Sequence, residues 1–320
     1  MTSNPLISIC IPCYNAEKYI SETLDCFLRQ TYQHFELIVA NDHSSDDSLK
    51  ILKNYEHLDN RIKIIDLEKN RGAAAARNSA FNISSGLYVI FFDSDDLVSD
   101  NYLETQLELA KINPQSIIAC ELKEFYNNDI NNTRENPSAV RQTLPPIDWL
   151  MADNAKGLNL TQCGMFLIPR EMIEKSGLWT EKLSLIDDFD FFPRLLLKAE
   201  LIIYNPNTTT FYRRDVNSSL SNFAGPKALK SAFEALCATT TLLLTQENSS
   251  RVKLALANYW RGWVYHFYGS NMSFYQYGIN QVKVLTGKKY TPNNSGITGI
   301  LDKIIGWKLT KKLKNRINAR

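Results

Sequence analysis

Asp93-Ser94-Asp95-Asp96 places three acids within four residues, directly behind the apolar run 87–92. Crowded carboxylates repel one another, and a hard divalent cation with oxygen ligands removes the repulsion. Mg2+ or Mn2+ held by few protein oxygens keeps positions open for a diphosphate. The simpler alternative is an acidic N-cap for a helix beginning near Asp100, although one Asp would suffice for that. A second acidic group, Asp187-Asp188-Phe189-Asp190, is set among Phe189, Phe191 and Phe192. Burial there would raise a carboxyl pKa toward the range of a general base, and the alternative is the capped start of a helix through Leu195, Leu196 and Leu197. Polar turns also follow the runs 6–11 and 35–40: Pro12 to Asn15, and Asn41 to Asp46. Cys10-Ile11-Pro12-Cys13 has the Cys-x-x-Cys spacing of thiol redox sites.

The elements that must position these residues alternate. The runs 6–11, 35–40, 61–65 and 87–92 are short, apolar and rich in β-branched and aromatic residues, as buried strands are. Between them, Ile20, Leu24, Phe27 and Leu28 recur with helical period, with Asn15 as N-cap and Glu17 in the first turn. A second helix is expected from about Asp46 to Tyr55, and a third just after Gly72, through Ala73 to Ala76. This order predicts a doubly wound, mostly parallel α/β sheet with helices on both faces. Ligands then bind beyond the carboxyl ends of the strands, where the three polar turns converge.

The chain has 320 residues, 44% hydrophobic and 22% charged, with a net charge of +2. Such a composition excludes disordered and collagenous classes, and the charge does not advertise nucleic-acid binding. No basic leader precedes the six-residue apolar run at the start, and no run approaches a membrane span, so a cytoplasmic address is expected. The six Cys would there stay reduced, and triplets such as Asn159-Leu160-Thr161 would stay unglycosylated.

Four segments in order carry a resemblance. Ile7 to Asn15, Val39 to Asp46, Asn70-Arg71-Gly72 through Ala76-Arg77-Asn78, and Phe91 to Asp96 resemble the motifs of family 2 glycosyltransferases with the GT-A fold. The likeness covers roughly residues 5–215. It implies inverting transfer of a sugar from a nucleotide-diphosphate donor, with Mn2+ or Mg2+, to a glycan or lipid-linked acceptor in cell-surface polysaccharide synthesis. On that match, Pro12, Tyr14 and Asn15 cradle the nucleoside base and Asp42 reads it. A carboxylate only accepts hydrogen bonds, so Asp42 favours the N3–H of uracil, which makes a UDP-sugar the expected donor and leaves dTDP and GDP open. Gly72 and Arg77 border the nucleoside and phosphates, their alternatives being a turn glycine and a solvated helix Arg. Asp93 and Ser94 lie on the ribose side, Asp95 is the metal ligand and Asp96 its neighbour. The sequence departs from the family at Asn41, where Asp is frequent, and at His43, where Gly is frequent.

In the second half, Leu185 to Phe192 resembles the family's Glu-Asp motif with Asp187 in place of Glu, which makes Asp188 the base, with Arg194 in the following helix. Cys163 to Arg170 resembles the strand before it. Trp179 falls in the acceptor-side turn, where it is an acceptor contact or a core residue. Arg213 or Arg214, in a segment running to Ser219, would neutralise the diphosphate. The GT-A domain is expected over 1–220, with a nucleotide-sugar half 1–100 and an acceptor half 101–220. A helical region over 221–320 follows, with helices at 227–245 and 251–268 covering the acceptor side. Its end holds Lys303, Lys308, Lys311, Lys312, Lys314, Arg316 and Arg320 with no acid, and Ile305, Leu309, Leu313 and Ile317 near one helix face. A basic amphipathic helix of this kind lies on an anionic leaflet, or is a solvated tail. Residues 303–320 are thus a candidate peripheral contact with the inner face of a membrane. Two rival readings stay open: a nucleotide-sugar-binding protein without catalysis, and a Cys-x-x-Cys thiol oxidoreductase.

Overall fold

The computed structural model describes residues 4–136, 139–154, 161–214, 225–292 and 296–318. Its first strands and helices alternate as the periodicity predicts: β1 (Ile7–Cys13), α1 (Ile20–Leu28), β2 (Phe35–Asn41), α2 (Ser48–Leu58), β3 (Ile62–Asp66), α3 (Ala73–Ile83) and β4 (Tyr88–Phe91). β1, β2 and β4 are buried along their whole length, which is why they read as continuous apolar runs. They pair in parallel, in the order β3-β2-β1-β4. Register aligns the ends of three strands, Cys13 with Asn41 and Asn41 with Asp66, while β4 stops at Phe91 opposite Cys10. Because β1 has β2 on one side and β4 on the other, its carboxyl end is the switch point where open α/β sheets bind ligands. Pro12 lies past its last β4 partner, where no strand needs the N–H it lacks.

The chain continues through β5 (Leu97–Val98), α4 (Tyr102–Ile112), β6 (Ile117–Tyr126), β7 (Asp129–Glu135), α5 (Pro146–Asn154), a 3-10 turn (Cys163–Met165), β8 (Phe166–Pro169), α6 (Arg170–Ser176), α7 (Asp188–Leu196) and β9 (Ile202–Arg213). Here the sheet departs from the expected parallel order. β8 joins β4 and β6 antiparallel, β9 runs parallel to β6, and β5 and β7 pair antiparallel at its margins. The result is a mixed sheet in which β3, β2, β1 and β4 form one parallel block and β6 and β9 a further parallel pair.

Helices α8 (Gly225–Gln246), α9 (Ser250–Phe267), α10 (Met272–Thr286) and α11 (Gly296–Leu301), a π turn (Asp302–Gly306) and α12 (Trp307–Asn318) complete the chain. The expected boundary at 220 falls outside the described residues, and the compact units divide within α8, between Leu242 and Leu243. The start of α8 belongs to the first unit because the Ser231 hydroxyl takes the N–H groups of Ser184 and Leu185 and Thr239 donates to the Phe189 carbonyl. In the second unit, Tyr259, Trp260, Val264 and Phe267 of α9 are buried. Gly278 of α10 allows close approach to them, since a Cβ there would lie 2.5 Å from Val264. Among the described residues no helix is long and apolar enough to cross a membrane.

Candidate active site

The turns after β1 and β2 are stitched to each other. Asn15 is not the cap of α1, which begins at Ile20 behind Tyr19 and has no side-chain cap. Instead the Asn15 N–H donates to Ser44 Oγ (3.0 Å) and its Oδ1 accepts from the Ser45 N–H (2.8 Å). Glu17 likewise accepts from the Asp47 N–H, while Asp46 accepts from that of Glu17. Asn15 and His43 both sit at positive φ, 50° and 61°. For His43 this explains a position where glycine fits, since a side chain in the left-handed region is strained. Asn41 needs a donor that an Asp would lack: its Nδ2 bonds Asp66 Oδ1 at 2.7 Å.

Asp42 is buried, and each carboxylate oxygen accepts one backbone N–H, from Arg71 (2.7 Å) and Gly72 (2.8 Å). It thereby fixes the turn that starts α3, where Gly72 adopts φ 91°, and each oxygen keeps a lone pair for a base N–H. Tyr14, directly after β1, is 52% exposed. These residues form one shelf at the switch point.

Beside the shelf lies a carboxylate floor. Arg77, on α3, is buried and not the solvated helix residue of the simpler reading. It donates to Asp93 Oδ1 at 2.7 Å and to Asp187 Oδ2 at 3.2 Å, and its guanidinium lies 4.5 Å over the Trp179 ring. One cation therefore joins the turn after β4 to the turn before α7. Trp179 is core and not an acceptor-facing ring: it is buried and stacks on Phe191 at 4.1 Å. The acidic run 93–96 is not a helix cap either, because α4 begins only at Tyr102, behind Asn101.

Gln162 carried no signal in the sequence beyond being polar, yet it organises this floor. Its Nε2 donates to Asp93 (3.0 Å) and to Asp96 (2.5 Å), and its Oε1 accepts from the Gly164 N–H (2.7 Å), which fixes which end of the amide faces the acids. Gly164 must be glycine, since a Cβ would lie 2.5 Å from the Phe92 ring. Arg213 does not face an open site. It is buried between the Tyr19 and Phe125 rings, donates to the Asp95 carbonyl and pairs with Glu22. Arg214 pairs with Glu124. The rest of that segment, Asp215 to Ser219, lies outside the described residues, as do Asn159 and Leu160 of the Asn-x-Thr triplet.

Asp93 and Asp96 are thus engaged on both oxygens, Asp96 also by the Arg213 N–H at 2.9 Å. Asp95 is half-buried, and burial and the neighbouring Asp93 charge push its pKa up to about 6 against the pull of Arg213. A carboxyl that ionises reluctantly and faces a gap in its charge compensation fits a cation ligand. Among the described residues no three His, Cys, Asp or Glu side chains form a metal cage.

In the second acidic group the capped start of a helix is present and burial raises the carboxyl pKa. Asp187 caps α7 through the Asp188 N–H, and Asp188 opens the helix. Asp190 accepts from Thr180 (2.7 Å) and Arg194 (2.8 Å), which gives the third acid a structural role. Burial, then the Asp187 charge, push Asp188 up to about 7, against the Phe189 N–H and Arg77, with Asp153 adding to the rise. Burial raises Asp187 as well, opposed by Arg77. Asp153, missed in the sequence, is held at about 7 by burial, with Thr161 donating to it at 2.9 Å. Ile186, just before the pair, sits at φ 51°, a strained conformation for a β-branched residue that re-aims the chain into α7.

The thiol reading fails. Cys10 and Cys13 both lie within β1, where residues three apart project to opposite faces, and burial pushes each thiol up to about 12.

A polar shelf at the switch point, a carboxylate floor after β4 and an acid with a raised pKa opening α7 thus lie on one α/β domain. A family model described as "Glycosyl transferase family 2" matches residues 8–177, and the chain belongs to that family. It is 46% identical to the Bacillus subtilis glycosyltransferase TuaG over 104 residues, 32% of this chain and 41% of that protein. It is 41% identical over 126 residues, 39% of this chain and 49% of the other, to the Escherichia coli UDP-Glc:alpha-D-GlcNAc-diphosphoundecaprenol beta-1,3-glucosyltransferase WfgD. The matched stretches thus span less than half of either relative. The crystal structure of S. aureus TarS in complex with UDP-GlcNAc superposes with a TM-score of 0.70 at 17% identity, covering 98% of this chain and 92% of that one, and so shares its GT-A fold.

Proposed function

We propose that this protein is an inverting glycosyltransferase. It moves a sugar from a UDP-sugar to a hydroxyl of a glycan or lipid-linked acceptor, in cell-surface polysaccharide synthesis at the inner face of a membrane. The observation that carries the reading is Arg77, which ties the donor-side Asp93 to Asp187, next to the acid best suited to act as base. The acceptor class and the UDP moiety are supported by the names of WfgD and of the TarS complex.

In this reading Tyr14 stacks on the uracil, Pro12 and Asn15 shape its cradle, and Asp42 accepts the N3–H. Gly72 and the first turn of α3 present backbone N–H groups to the phosphates. Asp93 and Ser94 border the ribose. Asp188, poised near neutrality, takes the acceptor proton as the hydroxyl attacks the anomeric carbon in line with the departing diphosphate. Asp187 keeps Asp188 basic by its charge, and Arg77 keeps Asp187 ionised and in place. Mn2+ or Mg2+ would be held by Asp95 and, when bound, would supply positive charge to the leaving diphosphate. Arg213 contributes by holding the Asp95–Asp96 turn.

Calorimetric titration of UDP, with GDP and dTDP as controls, in Mn2+ and in EDTA, on the wild type and Asp95→Ala, tests the donor half. Metal-dependent UDP binding that the variant loses is the expected result. Binding of none of the three nucleotides under any condition would overturn the assignment.

A further inference from the structure

The apolar stripe of α12 points the opposite way from an ordinary amphipathic helix. Leu309 and Leu313 lie four residues apart on α12, the spacing of a core-facing seam. Instead they are exposed, as are Ile300, Leu301, Ile304 and Ile305 in the turns that precede Gly306 (φ 81°), all six between 36% and 71%. The packed face is Trp307, Thr310 and Lys311. Trp307 sits against Tyr268 (4.9 Å), Tyr290 (5.4 Å), Tyr265 (6.2 Å) and Tyr275 (6.2 Å). Thr310 and Lys311 are buried, with the Lys311 ammonium 4.4 Å over the Tyr265 ring and donating to the Tyr265 carbonyl. Rolling the helix to bury its stripe would pull Trp307 from its tyrosines and strand a buried ammonium, so the stripe is held outward by design of the inner face.

We propose that this stripe is a membrane-docking surface whose aliphatic side chains enter the headgroup boundary of an anionic bilayer, with Lys308 and Lys312 along one flank. The proposal deepens the inner-membrane part of the function given above and rests on it. Six exposed aliphatics within residues 300–313 exceed what scattered surface residues explain. The occupant follows from charge: residues 303–320 carry seven basic residues and no acid. A second copy docked here would set like charge against like. A protein partner would be expected to meet Trp, Tyr or Arg anchors, whereas this surface offers aliphatics and Lys, which protein interfaces under-use. Aliphatic groups that dip below phosphates, with lysine stems extended back to them, suit a lipid surface. Lys308 and Lys312 are exposed and four residues apart, on the same side of the helix, with the Lys308 ammonium 5.6 Å from the Tyr268 ring at the border of the packed face.

The test is sedimentation of the whole protein with vesicles of phosphatidylcholine, alone or mixed with phosphatidylglycerol. The variants are Leu309→Asp/Leu313→Asp and Lys308→Gln/Lys312→Gln, each checked for wild-type circular dichroism and UDP affinity. The wild type is expected to bind the mixed vesicles and to weaken with salt. The lysine variant should bind about thirty-fold more weakly, the loss of two basic contacts near an anionic surface, and the leucine variant should not sediment. Equal binding by all three proteins, no binding by the wild type, or a wild-type dimer that the leucine variant dissociates would each overturn the proposal. Transfer to a water-soluble acceptor is measured alongside: if it persists while vesicle binding fails, only the surface assignment falls.

Discussion

The shelf after β1 and β2 and the floor after β4 share one sheet edge yet are held by opposite means. On the shelf, short polar side chains satisfy backbone N–H groups of the neighbouring turn, as Asp42 does for Arg71 and Gly72 and Asn15 for Ser45. Each such bond is worth about 1 kcal/mol net, and losing one leaves the others in place. On the floor, Asp93, Asp96 and Asp187 crowd together and are joined by one guanidinium and one amide from distant parts of the chain, with a backbone N–H added at Asp96 and at Asp187. The Arg77 and Gln162 side chains each serve two acids. The shelf is a redundant hydrogen-bonded surface; the floor is an electrostatic device, and burial raises the pKa of its Asp96 and Asp187.

That contrast is tested first at Asp188. Asp188→Asn is expected to lower kcat about a thousand-fold while UDP affinity, measured by calorimetry, stays at the wild-type value; equal losses in both would merge the two regions into one. The pH dependence has a fixed sign. Asp188 is pushed up to about 7 when folded, above the ~3.9 of an unfolded Asp, so the folded chain holds this proton more tightly. Its contribution to stability is full below pH ~4 and is lost as pH rises through 7, while the proton-accepting form accumulates over the same rise. Turnover and chemical stability should therefore move in opposite directions between these limits.

Arg77→Met comes next, leaving the Asp93 and Asp187 side chains, 28% and 17% exposed, without their cation. A loss of about 3 kcal/mol in denaturant unfolding is expected. A loss under 1 kcal/mol would show that the floor has the redundancy of the shelf. Gln162→Glu, which keeps the shape and replaces a donor by a further acid, should cost about 2 kcal/mol at neutral pH. That cost should shrink on acidification, as unfolding at several pH values would show; a pH-independent loss would mean packing and not charge. The smallest effect belongs to the shelf. His43→Gly relieves a left-handed side chain and should raise stability by about 1 kcal/mol, with UDP affinity unchanged.

The strand and helix order of the nucleotide half was legible because buried strands and sheet-covering helices leave continuous or 3.6-period apolar patterns, and boundaries moved by only a few residues. Asp42, Asp93 to Asp96 and the acids at 187–190 were legible because turn chemistry is local. Asn15 was misplaced as a cap, since an Asn before a helical pattern looks the same whether it bonds its own helix or a turn thirty residues away. The antiparallel insertion of β8 left no such trace, because four residues carry too little period.

The sequence alone determined the alternating fold of the first hundred residues, the position of the acids and the basic, amphipathic character of the chain's end. Only the tertiary structure decided which of those acids share a cation, since Arg77 and Asp187 are 110 residues apart and Gln162 and Asp96 are 66 apart. It alone retired the Cys pair, turned Trp179 and Arg213 inward, and set the apolar stripe of α12 outward. Periodicity and turn chemistry are properties of neighbours along the chain, whereas pairing, burial and the choice of packed face depend on residues that only folding brings together.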